Sequence, residues 1–247
     1  MNSLHLESLR YAYPDRGTVV NNVSLHIAPG EFHCLIGRSG CGKTTLLKLA
    51  AGLQMPDQGR VLLNGRLITK PAAEMGFVFQ SPTLLDWLSV VDNILLPLSL
   101  HRKVTVADQH QAEQLLVQMG LAALGHVKPQ HLSGGQQSRV AIARALITRP
   151  TVLFMDEPFA SLDAMTRDEL QKDLLALCHA QGTSVLFVTH DIAEAVYLAD
   201  HVSIMHQGEI YAQRSLELSR PREPAIRYTP SFNTLCAALR DAMDTTP

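Results

Sequence analysis

Apolar and polar positions along the 247 residues fall into three textures. The first is short and alternating. Leu4, Leu6 and Leu9 mark an extended segment, and Val23-Ser24-Leu25-His26-Ile27 has the period of a strand with one covered face. Asn21-Asn22 and Pro29-Gly30 read as turns, so this region predicts antiparallel sheet. The second texture is continuously apolar: Phe32 to Ile36, Thr151 to Met155 and Ser184 to Thr189 predict strands buried on both faces. Shorter strands are expected around Arg60–Asn64, Glu74–Phe79, Val202–Met205 and Glu209–Ala212, the last two joined at Gln207-Gly208. The third texture, from about 83 to 146, is helical. Ala107 to Met119 has apolar residues at helical spacing and stops at Gly120. Beyond Leu216 the chain is polar and proline-rich through Arg220-Pro221-Arg222-Glu223-Pro224. It ends in a helix with Phe232, Leu235, Cys236, Leu239 and Met243 on one face. That face either docks on the domain or takes a partner.

One stretch converts this pattern into chemistry. Gly37-Arg38-Ser39-Gly40-Cys41-Gly42-Lys43-Thr44-Thr45 stands between an apolar strand and the helix beginning Leu46-Leu47, the context of a phosphate-binding P-loop. Glycines let the backbone turn several N–H groups toward an anion. The helix N-terminus adds its positive dipole end. Lys43 supplies a charge for the outer phosphates of a nucleoside triphosphate, and Thr44 a hydroxyl for Mg²⁺. The predicted fold is therefore α/β: a P-loop NTPase core with a mixed sheet, an N-terminal antiparallel β subdomain and an inserted helical subdomain. The chain reads as a single domain over 1–247, with a core of about 1–82 and 147–212, a helical part of about 83–146 and a tail of 213–247.

Other chemistry-bearing residues stand where such a core needs them. The strand at 151–155 runs into Asp156-Glu157, two acids that are costly at the end of a buried strand without a task. Asp156 would hold Mg²⁺, directly or through water, and Glu157 would act as general base on an attacking water. The strand at 184–189 ends in His190, at the same sheet edge, within reach of the γ-phosphate or that water. Asp191 caps the following helix, with Glu194 three residues on in a capping-box arrangement. Gln80 closes the strand at 74–79, where it can reach a metal or a water as the next loop moves. Leu132-Ser133-Gly134-Gly135-Gln136 offers a second helix N-terminus with bared N–H groups, Ser133 being its cap. Ser161-Leu162-Asp163 lies in a loop beyond Glu157. Tyr11 and Tyr13, before Pro14-Asp15-Arg16-Gly17, can stack on a base or pack under a turn.

Composition narrows the setting. The formal net charge is −2, which gives no strong pull toward nucleic acid. The 46% apolar content suffices for a core. Thr83 to Leu100 is the longest apolar candidate, but Asp86, Asp92, Asn93 and Pro97 disqualify it as a membrane span. Met1-Asn2-Ser3-Leu4-His5 lacks the regions of a signal peptide. Cys34, Cys41, Cys178 and Cys236 are scattered and fit a reducing compartment rather than a disulfide framework or zinc site.

Taken together, the P-loop, Gln80, Leu132–Gln136, Val152–Glu157, Ser161–Asp163 and His190 resemble, in order and spacing, the ATP-binding cassette ATPases, over about residues 4–212. The resemblance implies that Tyr13 stacks on adenine, that Gln80 links Mg²⁺ to a transmembrane partner, that Asp163 communicates across a dimer and that His190 is a switch histidine. Pro82-Thr83-Leu84-Leu85-Asp86-Trp87 with Val90 and Asp92-Asn93 is similar to importers of the nitrate, taurine and alkanesulfonate group. Asp86 stands where that group usually has proline. Importers of pyrimidine thiamine precursors share these features. The resemblance further implies a homodimer sandwiching two ATP molecules, transmembrane permease subunits, a periplasmic or lipid-anchored binding protein, and a peripheral position on the cytoplasmic membrane face. Two anion sites in one chain point the same way, each P-loop facing Ser133-Gly134-Gly135 of a second copy. Trp87, Leu88 and Val90 are expected either to contact the permease or to pack in the core. A cassette ATPase acting on DNA or ribosomes would carry a coiled coil or a second cassette, a non-hydrolysing ATP module would not need Glu157 and His190, and a simple P-loop kinase would not need Leu132–Gln136.

Overall fold

The computed structural model describes residues 3–15 and 17–245. Met1, Asn2 and Arg16, which carry part of the leader and loop readings above, lie outside them. The chain begins with β1 (Leu4–Tyr13) and β2 (Gly17–Ile27), then β3 (Phe32–Ile36) and helix α1 (Lys43–Ala50). Next come β4 (Gln58–Leu63), β5 (Arg66–Leu67) and β6 (Met75–Val78). Helices α2 (Val90–Ser99), α3 (Val106–Gln118) and α4 (Gly134–Leu146) follow. The last part holds β7 (Val152–Asp156), α5 (Ala164–Gln181), β8 (Ser184–Val188), α6 (Ile192–Leu198), β9 (His201–His206), β10 (Glu209–Ser215) and α7 (Pro230–Asp244).

These strands make two sheets. One is antiparallel, in the order β2-β1-β4-β5. The other runs β10-β9-β3-β8-β7-β6 and is parallel except at the β10 edge. Side chains alternate across a strand, so each central strand of the second sheet feeds two cores. Cys34, Ile36, Leu153, Met155, Val185 and Phe187 face one core, with helices α2 to α7. Leu35, Phe154, Leu186 and Val188 face the other, where α1 lies against the antiparallel sheet through Leu46 and Leu47. Burial on both faces is why these strands read as unbroken apolar runs.

The expected turn at Asn21-Asn22 is not a turn. Both residues lie inside β2, and Asn22 takes φ 49°, a left-handed kink that sits at a register shift against β1. Ser8, at φ 47°, does the same for β1. Such bulges insert one residue and reset the pleat. The reason is the pattern itself: Leu6 to Leu9 and Val20 to Val23 are odd steps. Without a bulge one member of each pair would point to solvent and lose about 1.5–3 kcal/mol of burial. All four are buried. Gly59 completes the arrangement, because a Cβ there would stand 2.4 Å from the Ser8 carbonyl oxygen.

The amphipathic helix at the end, α7, docks on the domain. Phe232 and Leu239 are buried in the main core, and Leu235, Cys236 and Met243 pack against it. Val90 also belongs to the core, fully buried at the start of α2. That removes it from the proposed permease contacts and leaves Trp87 exposed and Leu88 half-buried. The four cysteines are unpaired.

Candidate functional site

The site forms at the carboxyl ends of β3, β7 and β8, which are adjacent in the sheet. Between β3 and α1 the chain turns through Gly42, the N-cap of α1, at φ 107°. A Cβ there would meet the Val19 carbonyl oxygen at 2.5 Å, so this position admits only glycine. No side chain caps α1, which leaves its first N–H groups free for an anion. Lys43 is buried and turns back on the loop, its Nζ donating to the Gly37 carbonyl at 2.8 Å and the Arg38 carbonyl at 3.1 Å. Its charge is thus held over the loop by weak acceptors that a phosphate would displace. Cys41 lies buried beside Lys43, and burial raises its thiol above the ordinary range.

A cavity of about 1060 Å³ opens over this loop. Its walls include Ser39, Gly40, Cys41, Gly42, Lys43, Thr44, Thr45, Glu157 and Tyr13. Tyr13 faces the cavity and exchanges a hydrogen bond with the Gln54 side chain, 3.2 Å from its amide nitrogen. Tyr11 stands edge-on to the Tyr13 ring and packs against the smaller core. Tyr13, rather than Tyr11, therefore lines the cavity over the loop.

Two polar pairs sit at the sheet edge. The Thr44 hydroxyl donates to Asp156 Oδ1 at 3.0 Å. The Asp156 carboxyl is buried and raised by that burial, which the Thr44 hydrogen bond partly offsets. Among the described residues there is no cluster of three His, Cys, Asp or Glu to cage an ion. One hydroxyl and one carboxylate suit a cation that keeps waters and phosphate oxygens as its other ligands, as Mg²⁺ does. The second pair is Glu157 and His190, with His190 Nδ1 2.8 Å from Glu157 Oε2. Glu157 takes φ 44°, a strained setting for a residue other than glycine. Its N–H donates to the Val188 carbonyl at 3.0 Å, and its own carbonyl accepts from Ala160 at 3.2 Å. Those two bonds hold the backbone bent so that the carboxylate borders the P-loop cavity.

The remaining predicted residues lie apart from that cavity. Gln80 is exposed two residues past β6; since Val78 pairs with Met155, it occupies the level on its strand that Glu157 occupies next door. Ser133 caps α4 in a reciprocal box with Gln136, at 3.3 and 2.9 Å. Gly134 is open to solvent, and a Cβ on Gly135 would stand 2.8 Å from Thr166 of α5. Asp163 caps α5, accepting from the Thr166 N–H at 3.0 Å. The starts of α4 and α5 thus form one exposed corner, and none of its residues lines the P-loop cavity.

Glu194 departs from the expected capping box. Asp191 does cap α6, accepting from Ala193 and Glu194, but the Glu194 side chain turns inward, where Gln171 Nε2 donates to it at 2.7 Å. Burial pushes its carboxyl up to about 7; the Thr189 hydroxyl, Arg167 and Gln171 oppose the rise, and Asp191 adds to it. The unfolded chain loses this proton near 4.5 and the folded chain near 7. The folded state therefore binds the proton more tightly, and stability declines as pH rises through that window. Glu194→Gln is expected to flatten this slope in thermal melts; an unchanged slope would remove Glu194 as its source.

Arg144 carries no signal in the sequence pattern. Its guanidinium donates to the carbonyls of Pro82 at 2.8 Å and Thr83 at 2.9 Å, tying α4 to the loop after Gln80. Nothing local distinguishes it from Arg139 one turn earlier. Asn93 is buried and holds the next stretch, bonding Leu85 through both its N–H and its carbonyl, and so fixes the turn that exposes Trp87.

Comparison with known proteins bears on this arrangement. The model of the family described as "ABC transporter" matches residues 20–160. The aliphatic sulfonates import ATP-binding protein SsuB of Bacillus subtilis is 43% identical, over 89% of this chain and 85% of its own. The bicarbonate transport ATP-binding protein CmpD of Synechocystis is 41% identical, over 89% and 81%. The nitrate import ATP-binding protein NrtD of Synechococcus elongatus is 42% identical, over 89% and 83%. Among solved structures, a dimeric post-hydrolysis state of the ATP-binding cassette MJ0796 with ADP and Pi superposes with a TM-score of 0.79 at 30% identity, covering 87% of this chain and all of that one. CbiO1 from Clostridium perfringens, part of the transporter complex cbiONQ, superposes with a TM-score of 0.80 at 27% identity, covering 97% and 96%.

Proposed function

Because the chain belongs to the ABC transporter family, we propose that it powers import of a small anion through a membrane permease. It is an ATP-hydrolysing subunit of the importer type. One observation carries the site assignment: the Thr44–Asp156 and Glu157–His190 pairs stand together at the carboxyl ends of adjacent strands, beside a P-loop. Lys43 and the free N–H groups of α1 would take the phosphates of ATP, with Arg38 to Thr45 shaping the loop and Tyr13 placing the base. Thr44 and Asp156, with Gln80 from the neighbouring loop, would hold Mg²⁺. An ion held there would supply charge neutralisation to the phosphates. Glu157 orients a water and accepts its proton. His190 fixes the Glu157 carboxylate now, and is placed to hand its hydrogen bond to the γ-phosphate or the attacking water.

The exposed corner of Ser133, Gly134, Gly135, Gln136 and Asp163 has no phosphate cradle of its own. It would close the P-loop cavity of a second copy, as a two-fold pair requires. ATP then holds two subunits together, and hydrolysis releases them. The relatives named above handle aliphatic sulfonates, bicarbonate and nitrate, which is why the cargo is proposed to be a small oxyanion or sulfonate. A periplasmic binding protein would present it. No described helix is long and apolar enough to cross a membrane; the permease would be a partner met at the cytoplasmic face.

Trp87 is the proposed contact with that permease. It is 70% exposed on a turn that buried Asn93 makes rigid, and exposed aromatic anchors carry much of an interface's binding energy. Trp87→Ala is expected to weaken co-purification with the permease by about thirtyfold, the effect of a 2 kcal/mol anchor. Equal recovery of wild type and variant would move the contact elsewhere. The whole reading is tested by ATP-dependent uptake of nitrate or an alkanesulfonate into vesicles carrying the permease and this chain. ATP hydrolysis without uptake of any small anion would overturn the cargo assignment alone.

A further inference from the structure

A chain of side-chain contacts, buried at Gln171 and Glu194, connects the C-terminal segment to the strand end that carries His190. It starts at Arg227, in the short 3-10 turn Pro224–Tyr228. The guanidinium lies over the Tyr197 ring, 3.8 Å from its centroid, and pairs with Asp168 Oδ1 at 3.3 Å. It also donates to Gln171 Oε1. That bond decides which way the Gln171 amide points. With Oε1 occupied by a cation, Nε2 must donate, and it does so to Glu194 Oε1 at 2.7 Å. Gln171 is 1% exposed and Glu194 6%. The Thr189 hydroxyl stands beside the same carboxylate and favours its charged form, and the two residues line one small cavity with His190 and Glu157. Thr189 is itself pinned: its N–H donates to Leu35 of β3 at 3.2 Å, and its hydroxyl accepts from the Asp191 N–H at 3.0 Å. The next residue is His190, whose ring reaches Glu157 at 2.8 Å.

We infer that Glu194 is a positioning residue for the His190–Glu157 pair, held in place by the C-terminal segment through Arg227 and Gln171. This rests on the roles proposed above for Glu157 and His190. The physical case is that a buried carboxyl needs its donors. Lose Arg227, and Gln171 is free to rotate, leaving Glu194 with the Thr189 hydroxyl alone. The carboxyl then relaxes toward Arg167, which now pairs with Asp191 at 3.5 Å, and Thr189 shifts with it. The same segment grips α6 a second time. The Tyr197 hydroxyl donates to the Arg222 carbonyl at 2.8 Å, and Arg222 donates to the Tyr197 carbonyl at 3.0 Å. A segment that folds over α5 and α6 from outside the sheet therefore has a mechanical route to the catalytic edge. Anything that lifts it from the domain would slow hydrolysis without touching the P-loop.

The test uses the full chain with Arg227→Gln and Gln171→Leu. Arg227 sits on a peripheral turn, so its variant folds even if the interior one does not. Turnover is expected to fall about tenfold, the effect of a modest misplacement of a catalytic group. KM for ATP should stay within twofold, because Lys43 and α1 are untouched. The ring nitrogen resonances of His190, in protein labelled with ¹⁵N-histidine and assigned by His190→Gln, should move in the same variants. A purely stabilising network would lower the melting temperature and leave both readouts alone. Turnover within twofold of wild type, or an unmoved His190 resonance, overturns the inference. A wild-type chain that does not depend on Glu157 for hydrolysis would instead overturn the assignment beneath it, and the resonance still reports on positioning.

Discussion

Glu157→Gln is expected to keep ATP binding and lose about 10²–10³-fold in turnover, the scale of removing one preorganised catalytic group. The amide matches the carboxylate in shape and can still contact His190, now 2.8 Å away. It cannot accept a proton from water at neutral pH. The bent backbone at φ 44° is held by main-chain bonds to Val188 and Ala160, so the substitution leaves the turn in place. Because ATP is then bound but not consumed, the variant should also accumulate as a dimer in size-exclusion chromatography with Mg²⁺ and ATP. Hydrolysis at the wild-type rate would remove Glu157 as general base. A strictly monomeric variant, saturated with ATP, would count against a site shared between copies.

The second large effect is at Lys43. Its ammonium is buried and bonded to loop carbonyls and the Cys41 sulfur, and among the described residues no carboxylate forms an ion pair with it. Such a charge is costly unless an anion completes it. Lys43→Ala removes one charge-assisted contact to phosphate, and a desolvated contact of that kind is worth about 2–5 kcal/mol. ATP affinity should fall by at least thirtyfold, while the apo protein melts no lower than wild type and possesses one buried charge fewer. Equilibrium binding of a fluorescent ATP analogue measures the first, and a thermal melt the second. Unchanged affinity would contradict the P-loop assignment.

The two variants also separate what the local sequence encodes in this site from what it does not. Lys43 and Thr44 were readable because a P-loop is contiguous: strand, glycines and helix lie within one stretch, and their backbone geometry follows from residue types in order. The same holds for the Ser133–Gln136 cap, a local box spanning four residues, and for the central strands, whose unbroken apolar runs need two covered faces. Where the local pattern misled, tertiary packing overrode it. Asn21-Asn22 has turn chemistry, yet the chain spends it on a bulge, because Val20 and Val23 both had to reach one core. Asp191 and Glu194 have capping-box spacing, yet Glu194 is drawn inward by Gln171, distant in sequence.

By itself, then, the sequence determined which residues form the glycine-rich loop and helix start and which strands carry the acids, since those depend on neighbours along the chain. Only the tertiary structure decided that Thr44 meets Asp156, that His190 meets Glu157, and that Arg227 reaches Glu194 through Gln171. The physical reason is that strand order sets these meetings. β3, β8 and β7 are neighbours in the sheet though far apart in the chain, and no periodicity or spacing encodes that adjacency until the two cores close around them.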